Sequence, residues 1–260
     1  MAIGCDRLRS AAIQRYHPRM GDGRASPAGG WPGPGEVVVE WALLDELPDA
    51  ADELTAEERA RRDRMRPAVG MRWARGRAFV RRRLAARLDI PATEVDLRAE
   101  ARGRPYLGMV PTGEAAGVGF VVPVEPLDLS ISHSATVIAL AVASCRVGVD
   151  VDDSPGQPDL LRIAAVVATT EELAELANVA RADPALLAPT FLRWWVRKEA
   201  VLKAQGSGFL DDPTAVSVGV LAPAPPAPWT LVDLGPLPGG SALAVAFADR
   251  AGAVRVQRCS

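Results

Sequence analysis

The sequence predicts an α+β fold in two similar lobes, with the functional site in the cleft between them. Short apolar or alternating segments typical of β-strands occur in both halves of the 260-residue chain. Each half also contains a long segment with the apolar spacing of a helix, and residues 127–153 join the halves. We therefore expect an N-terminal lobe at residues 36–144 and a C-terminal lobe at residues 145–260.

The composition is that of a globular cytoplasmic protein. The net charge is −2 and 48% of the residues are hydrophobic, which is enough to bury a core. No apolar run is long enough to span a bilayer, and the N-terminus has no compact apolar segment with a cleavage site, so we expect no membrane partner. Cys5, Cys145 and Cys259 are scattered without CxxC spacing, which indicates neither a disulfide framework nor a zinc site.

The chain begins with a segment rich in glycine and proline. We expect residues 1–35 to be a flexible leader, because such a composition does not form regular structure. Residues 36–44, EVVVEWALL, then have the apolar alternation of a first strand.

A long helical region follows at residues 52–88. Thr55 and Glu58 have the spacing of a capping box, which marks a helix start. Pro67 and Gly70 are expected to divide the region into two helices, because both residues disfavour a continuous helix.

This helical region contains eleven arginines between Arg59 and Arg83. Such a run is typical of a solvated helix face, and otherwise of a surface that binds polyanions. The slightly acidic net charge and the lack of interleaved aromatic residues disfavour nucleic acid and leave a small phosphorylated ligand as the functional alternative. The arginines expected to face solvent are Arg72, Arg75, Arg82 and Arg83.

The central stretch predicts three strands, at residues 127–131, 137–143 and 147–152. In the last of them, VGVDVD, side chains alternate between faces, so Asp150 and Asp152 lie on one face and the valines on the other. Neighbouring carboxylates raise each other's pKa unless a cation holds them ionised, and hard oxygen ligands suit Mg²⁺. A polar strand end facing solvent is the alternative interpretation.

The second half predicts helical residues 160–180, then a helix that runs from about residue 190 to Gly206. In this last helix Trp195, Glu199 and Lys203 are four residues apart and form one stripe. A surface Glu–Lys pair would have the same spacing. Four further apolar segments predict strands at residues 214–221, 229–234, 242–247 and 253–257.

Four segments in order carry a resemblance to a known family: GRPYL at 103–107, LDLSISHS at 127–134, VGVDVD at 147–152 and WVRKEAVLKAQGSGF at 195–209. Together they resemble the 4′-phosphopantetheinyl transferases of the surfactin-synthetase type. The resemblance implies a pseudo-dimeric fold in a monomer. It also implies transfer of the phosphopantetheine arm of coenzyme A to a serine of an acyl or peptidyl carrier protein, with Mg²⁺ (or Mn²⁺) bound and 3′,5′-ADP released.

The resemblance also implies roles for individual residues. Asp150, Asp152 and Glu199 would hold the metal, although the family most often has Glu at the position of Asp152. Glu199, or a water that it orients, would accept the proton of the carrier serine, and Lys203 would stabilise the charge that develops on the phosphates. The residues implied to contact coenzyme A are Arg72 (with Arg75 as the alternative), Gly103, Arg104, Pro105, Ser132, His133, Lys198 and Lys203.

Two other functions stay open. One is another Mg²⁺-dependent phosphoryl enzyme that uses the same carboxylates, and the other is a non-catalytic relative that binds coenzyme A or the carrier. A serine hydrolase is excluded because the chain has no GxSxG motif and only two histidines, and no GxxxxGK[ST] motif indicates use of a nucleoside triphosphate. The pathway served, whether fatty acid or secondary metabolite biosynthesis, is not indicated by the sequence.

Overall fold

The structure is a computed structural model, and it describes residues 31–49, 51–108, 110–112, 119–121, 127–153, 159–206, 212–248 and 253–260. Most of the predicted leader, residues 1–30, lies outside the described residues. Within the described part of the chain, no helix is both long and apolar enough to cross a bilayer.

The described residues form eleven strands and five α-helices, in a mixed order. The strands are β1 (Glu36–Leu43), β2 (Leu97–Ala99), β3 (Pro105–Leu107), β4 (Val110–Thr112), β5 (Gly119–Val121), β6 (Asp128–His133), β7 (Val137–Ala143), β8 (Val147–Asp152), β9 (Thr230–Asp233), β10 (Ala242–Phe247) and β11 (Ala253–Arg258). The helices are α1 (Ala56–Asp63), α2 (Pro67–Leu88), α3 (Leu160–Val167), α4 (Thr170–Ala182) and α5 (Leu187–Gln205).

Two main sheets and two short strand pairs make up the β-structure. The first sheet has the order β11-β1-β7-β6 and the second has the order β8-β10-β9. Strand β11 pairs with β1 in parallel, while the other pairs in both sheets are antiparallel. The α+β class is therefore confirmed. The predicted similarity of the two lobes and the predicted lobe boundary at residue 145 stay predictions. Strand β11, the last of the chain, belongs to the same sheet as β1, the first.

The apolar core is built in layers because each strand alternates its side chains. One face of each main sheet contributes to a shared cluster that includes Val39, Val149 and Phe247. On the outer face of the first sheet, α2 packs through Phe79 and Leu84. Helices α3, α4 and α5 cover the outer face of the second sheet.

The structure confirms some of the predicted element boundaries and corrects others. The capping box at Thr55 is present, and Pro67 begins α2, but Gly70 lies inside that helix and does not break it. The predicted helix at 160–180 is two helices, and the predicted strand at 214–221 is a 3-10 turn followed by irregular chain. The described part of residues 108–126 contains the short strands β4 and β5, which the sequence analysis did not predict.

The arginines of α2 are mostly tied to acidic residues, so the expected solvated face is partly wrong. Arg81 donates to Glu58 at 2.7 Å, and Arg83 pairs with the buried Glu40. Sequence spacing could not show this, because the carboxylates come from other elements. Two further ion pairs join Arg82 to Glu53 and Arg75 to Asp45, whereas Arg72 is exposed.

Helix α5 lies directly on strand β8 at Gly148. A Cβ atom at this glycine would clash with the carbonyl oxygen of Ala200 and with the backbone nitrogen of Ala204. Gly148 therefore lets the backbone of the helix approach the backbone of the strand, as glycine does at such contacts. This contact sets the distance between the polar side chains of the two elements.

We predict that Gly148→Ala lowers the free energy of unfolding by about 3 kcal/mol, because the added methyl group must push α5 away from β8. Thermal or urea unfolding measures the loss. Gly33→Ala is the control, since a Cβ atom there meets nothing within 4 Å. Equal stability of the two variants would contradict the close packing of the helix on the strand.

Candidate active site

A cavity of about 280 Å³ lies where β6, β8 and α5 meet. It brings together six of the residues predicted from the sequence, together with the ring of Trp195. The predicted residues that line it are Ser132, His133, Asp150, Asp152, Glu199 and Lys203.

Polar side chains of β6 join this strand to β8, although the two strands belong to different sheets. Asp128 accepts a hydrogen bond from the backbone N–H of Val147 at 2.8 Å. The hydroxyl oxygens of the serines continue the pattern: Ser130 accepts from Val149 N–H at 3.0 Å and Ser132 accepts from Val151 N–H at 3.3 Å. This set of side-chain bonds, which we call the β6–β8 ladder, satisfies three backbone donors along β8.

Lys203, Asp150 and Ser132 form a hydrogen-bonded triangle at the floor of the cavity. The ammonium of Lys203 lies 2.7 Å from Asp150 Oδ1 and 3.0 Å from Ser132 Oγ. The hydroxyl of Ser132 donates to the same Asp150 oxygen at 2.7 Å. Because Asp150 is only 6% exposed, the lysine supplies the positive charge that a buried carboxylate needs.

The other two carboxylates of the cavity are harder to ionise than usual. Burial raises the pKa of Glu199 to about 7, and the negative charges of Asp150 and Asp152 add to this, against the opposing effect of Lys203. Burial also raises the pKa of Asp152, together with the charge of Asp150. A cation bound in this cavity would lower these pKa values and hold all three carboxylates ionised.

Asp153, next in the sequence, lies outside this cavity. Its Oδ1 atom accepts hydrogen bonds from Thr136 at 2.8 Å and from Ser241 at 2.7 Å. Burial raises the pKa of Asp153, but these hydrogen bonds outweigh that effect and hold the pKa below its usual value. The role of Asp153 is thus to hold the start of β7 and β10 near the end of β8.

A second cavity of about 310 Å³ adjoins the first and is mostly apolar. Its walls come from α2, β6 and β7, and His133 and Ile131 line both cavities. Arg72 lies on the wall of this second cavity, next to Trp73. Arg75, the alternative, does not line either cavity and pairs with Asp45.

The structure does not bring Lys198 to either cavity. This side chain is 1% exposed, and its ammonium donates to Glu172 at 2.6 Å and to the carbonyl of Val216 at 2.7 Å. Residue 198 lies on the face of α5 that packs on α4, one helical position away from the cavity stripe. The implied contact of Lys198 with coenzyme A stays a prediction, and the described residues show the lysine in a buried ion pair with Glu172.

The GRPYL segment is also absent from the walls of both cavities. Gly103 occupies a turn with φ of +84°, and Pro105 begins β3. Arg104 is 7% exposed, and each of its three guanidinium nitrogens donates to a protein acceptor, among them Asp128. Asp128 and Ser130 are site residues that sequence reasoning missed, and their alternation with Ser132 in β6 is the signal that could have found them.

The described residues contain no group of three or more His, Cys, Asp or Glu side chains placed closely enough to hold a metal ion. The donors nevertheless fit Mg²⁺ in kind, since the cavity presents three carboxylates, two of them with raised pKa values. Mg²⁺ needs only one or two carboxylates when substrate phosphates supply further oxygens. The site fits an ion that binds together with a phosphorylated ligand.

Comparison with known proteins defines the class of enzyme. Residues 146–229, which contain Asp150, Asp152, Glu199 and Lys203, match the sequence model of the 4′-phosphopantetheinyl transferase superfamily. This match and the relative described next support an enzyme with 4′-phosphopantetheinyl transferase activity. Over 201 residues it is 29% identical to the 4′-phosphopantetheinyl transferase HetI of Nostoc sp. (strain PCC 7120 / SAG 25.82 / UTEX 2576), with 74% of this chain and 77% of that protein covered. These matches do not distinguish the surfactin-synthetase type.

We predict that Glu199→Gln stabilises the metal-free protein more at pH 8 than at pH 5. The pKa of Glu199 is raised from 4.5 to about 7 in the folded state, so the wild type loses stability as the pH rises through that interval. The neutral amide avoids this loss, and the melting temperature should rise by about 4 °C at pH 8.

Thermal unfolding in the presence of a chelator measures this difference. Glu175→Gln on the exposed face of α4 is the matched control and should show no such pH dependence. A gain in melting temperature that is the same at both pH values would contradict the raised pKa.

Proposed function

We propose that this chain transfers the 4′-phosphopantetheine arm of coenzyme A to a serine of an apo acyl or peptidyl carrier protein, with Mg²⁺ bound, and releases 3′,5′-ADP. The observation that carries the proposal is the convergence of Asp150, Asp152, Glu199 and Lys203 on one cavity, within the part of the chain that matches the superfamily. We further propose an enzyme of the surfactin-synthetase type that acts in the cytoplasm as a monomer.

The reaction joins the serine oxygen of the carrier to the β-phosphorus of coenzyme A. The bond from that phosphorus to the bridging oxygen breaks, and the electron pair leaves with 3′,5′-ADP. A serine hydroxyl is a weak nucleophile, so its proton must be accepted as the new bond forms. Glu199 is placed to accept it, directly or through a water, because its carboxylate lines the cavity beside Lys203 and Asp150.

Lys203 and Asp150 prepare the site for the phosphates. The lysine side chain is 30% exposed, so its ammonium is accessible from the cavity while it pairs with Asp150. It can offer its remaining hydrogen to a phosphate oxygen and stabilise the negative charge that increases during the transfer. Ser132 fixes the Asp150 oxygen from the other side.

Asp150, Asp152 and Glu199 would hold the Mg²⁺ ion, with Mn²⁺ as the alternative. Bound there, the ion would neutralise charge on the pyrophosphate and orient it for displacement. The shorter side chain of Asp152, in place of the Glu most common in the family, still lines the same cavity.

The adjoining 310 Å³ cavity is suited to the nucleotide end of coenzyme A. Its apolar lining, which includes Trp73, can accept an adenine ring, and Arg72 offers a charged fork for a phosphate. His133 lines both cavities and so lies between the proposed nucleotide site and the carboxylates. This arrangement also favours coenzyme A over the substrates of a nuclease or simple phosphatase, which have no need of the apolar cavity.

We expect incubation of an apo carrier protein with this chain, coenzyme A and Mg²⁺ to add the mass of one phosphopantetheine arm to the carrier. Intact-mass spectrometry measures the gain. Glu199→Gln should slow the transfer at least about 100-fold because the proton acceptor is lost, while Glu175→Gln should leave it unchanged. Binding of coenzyme A without transfer to any of several carriers would support the non-catalytic alternative, and absence of binding would overturn the proposal.

We also expect Arg72→Ala to raise the KM for coenzyme A about tenfold, because a charge-assisted contact with the 3′-phosphate is lost. Steady-state kinetics with coenzyme A and with 3′-dephospho-coenzyme A separate this contact from others. The variant and the wild type should differ little with the dephosphorylated substrate. Arg75→Ala is the control of the same residue type, and a larger effect there would assign the contact to Arg75 instead.

A further inference from the structure

Every nitrogen of the Arg104 guanidinium donates to a protein acceptor. Its Nη2 atom donates to the carbonyl of Val147 at 2.9 Å and to Asp128 Oδ2, and its Nε atom donates to Asp128 Oδ1 at 3.2 Å. Its Nη1 atom donates to the carbonyl of Lys203. The guanidinium thus bridges three elements, β6, β8 and α5, and we call this set of contacts the Arg104 clamp.

The clamp fixes the beginning of β8. Asp128 accepts from Arg104 and from the N–H of Val147, while the carbonyl of Val147 accepts from Arg104. Both polar backbone groups of Val147 are therefore held, three residues before Asp150. In an extended strand this leaves little freedom for the position of the Asp150 carboxylate.

The clamp also fixes the end of α5. The carbonyl of Lys203 lies in the last turn, where helix carbonyls lack intrahelical partners, and Arg104 and the N–H of Gly206 both donate to it. The same residue directs its ammonium to Asp150. Arg104 therefore contacts the backbone of one member of the Lys203–Asp150 pair and the strand that carries the other.

We propose that Arg104 is a positioning residue for catalysis: through the backbones of Val147 and Lys203 it sets the ammonium of Lys203 against Asp150, and it does not bind coenzyme A. The geometry of the clamp is independent of the substrate, whereas its catalytic consequence rests on the proposed function. Asp128 has the same positioning role, because it accepts from both Arg104 and the N–H of Val147.

Two observations favour this role over contact with a phosphate. Arg104 is 7% exposed and lines neither cavity, so a phosphate could reach it only after the clamp opened. The acceptors, which are the Asp128 carboxylate and the carbonyls of Lys203 and Val147, lie in different directions around the planar guanidinium. Arginine has N–H groups on three nitrogens that can reach all of them, whereas the single ammonium group of lysine cannot. Charge alone would not preserve the clamp.

The test compares Arg104→Lys, Asp128→Asn and the double variant with the wild type, in the full chain. The exposed neighbour Arg102, varied to Lys, is the matched control. Steady-state kinetics with an apo carrier give kcat and the KM for coenzyme A, and calorimetry gives the Kd for 3′,5′-ADP. Thermal unfolding shows that each variant is folded at the assay temperature.

We expect Arg104→Lys and Asp128→Asn each to lower kcat about 100-fold, because displacement of catalytic groups by about 1 Å has an effect of this size. The KM for coenzyme A and the Kd for 3′,5′-ADP should stay within about twofold of the wild type. The double variant should be little worse than either single variant, since both remove the same clamp. Arg102→Lys should behave as the wild type.

Three results would overturn the proposal. A tenfold rise in KM or Kd with unchanged kcat would show that Arg104 binds the ligand. Full activity of Arg104→Lys would show that a positive charge suffices. Loss of folding in both single variants would show that the clamp holds the whole fold rather than the site. Failure of the wild type to modify any carrier would refute the proposed function, and the Kd for 3′,5′-ADP would then still test ligand contact by Arg104.

Discussion

The active-site cavity depends on the β6–β8 ladder, in which side chains of one sheet bond to the backbone of the other. Asp128, Ser130 and Ser132 accept from successive alternate N–H groups of β8. Both strands repeat every two residues, so each bond holds the next in register. The ladder joins the two sheets with polar bonds along the edge of β8, while apolar side chains pack between the sheets. As a result the backbone on both sides of Asp150 is held against β6, and the Asp150 carboxylate accepts from the hydroxyl of Ser132.

Helix α5 completes the cavity by placing charged groups over that edge. The close contact at Gly148 allows Glu199 and Lys203 to reach the carboxylates of β8. Three carboxylates in a half-buried space repel one another, and burial with this repulsion raises the pKa of Glu199 to about 7. One lysine offsets only part of this charge. Without a further cation, the negative charge of the cavity is therefore only partly compensated.

Arginine has several distinct roles in this protein, and burial separates them. Arg81 and Arg104 are buried, and their fixed forks connect elements that are distant in sequence. Arg72 is exposed on the wall of the apolar cavity, where its charge remains available to a ligand. The net charge of −2 does not show which arginines are paired. The acidic residues that pair with arginines of α2 lie in other elements, so the pairing depends on the fold. Among the described residues, Arg72 is thus the cavity-lining arginine of that helix that lacks an acidic partner.

The sequence alone determined the features that depend on local periodicity. The alternation of β8 placed Asp150 and Asp152 on one face, and the four-residue spacing in α5 placed Glu199 and Lys203 on one stripe; the structure shows all four at one cavity. Lys198 and Arg104, which the family motifs imply to contact coenzyme A, pair with Glu172 and Asp128 and line neither cavity. Those pairings, like the parallel contact of β11 with β1, join residues far apart in the chain. Only the tertiary structure could decide them, because local spacing carries no information about which distant group arrives opposite a given side chain.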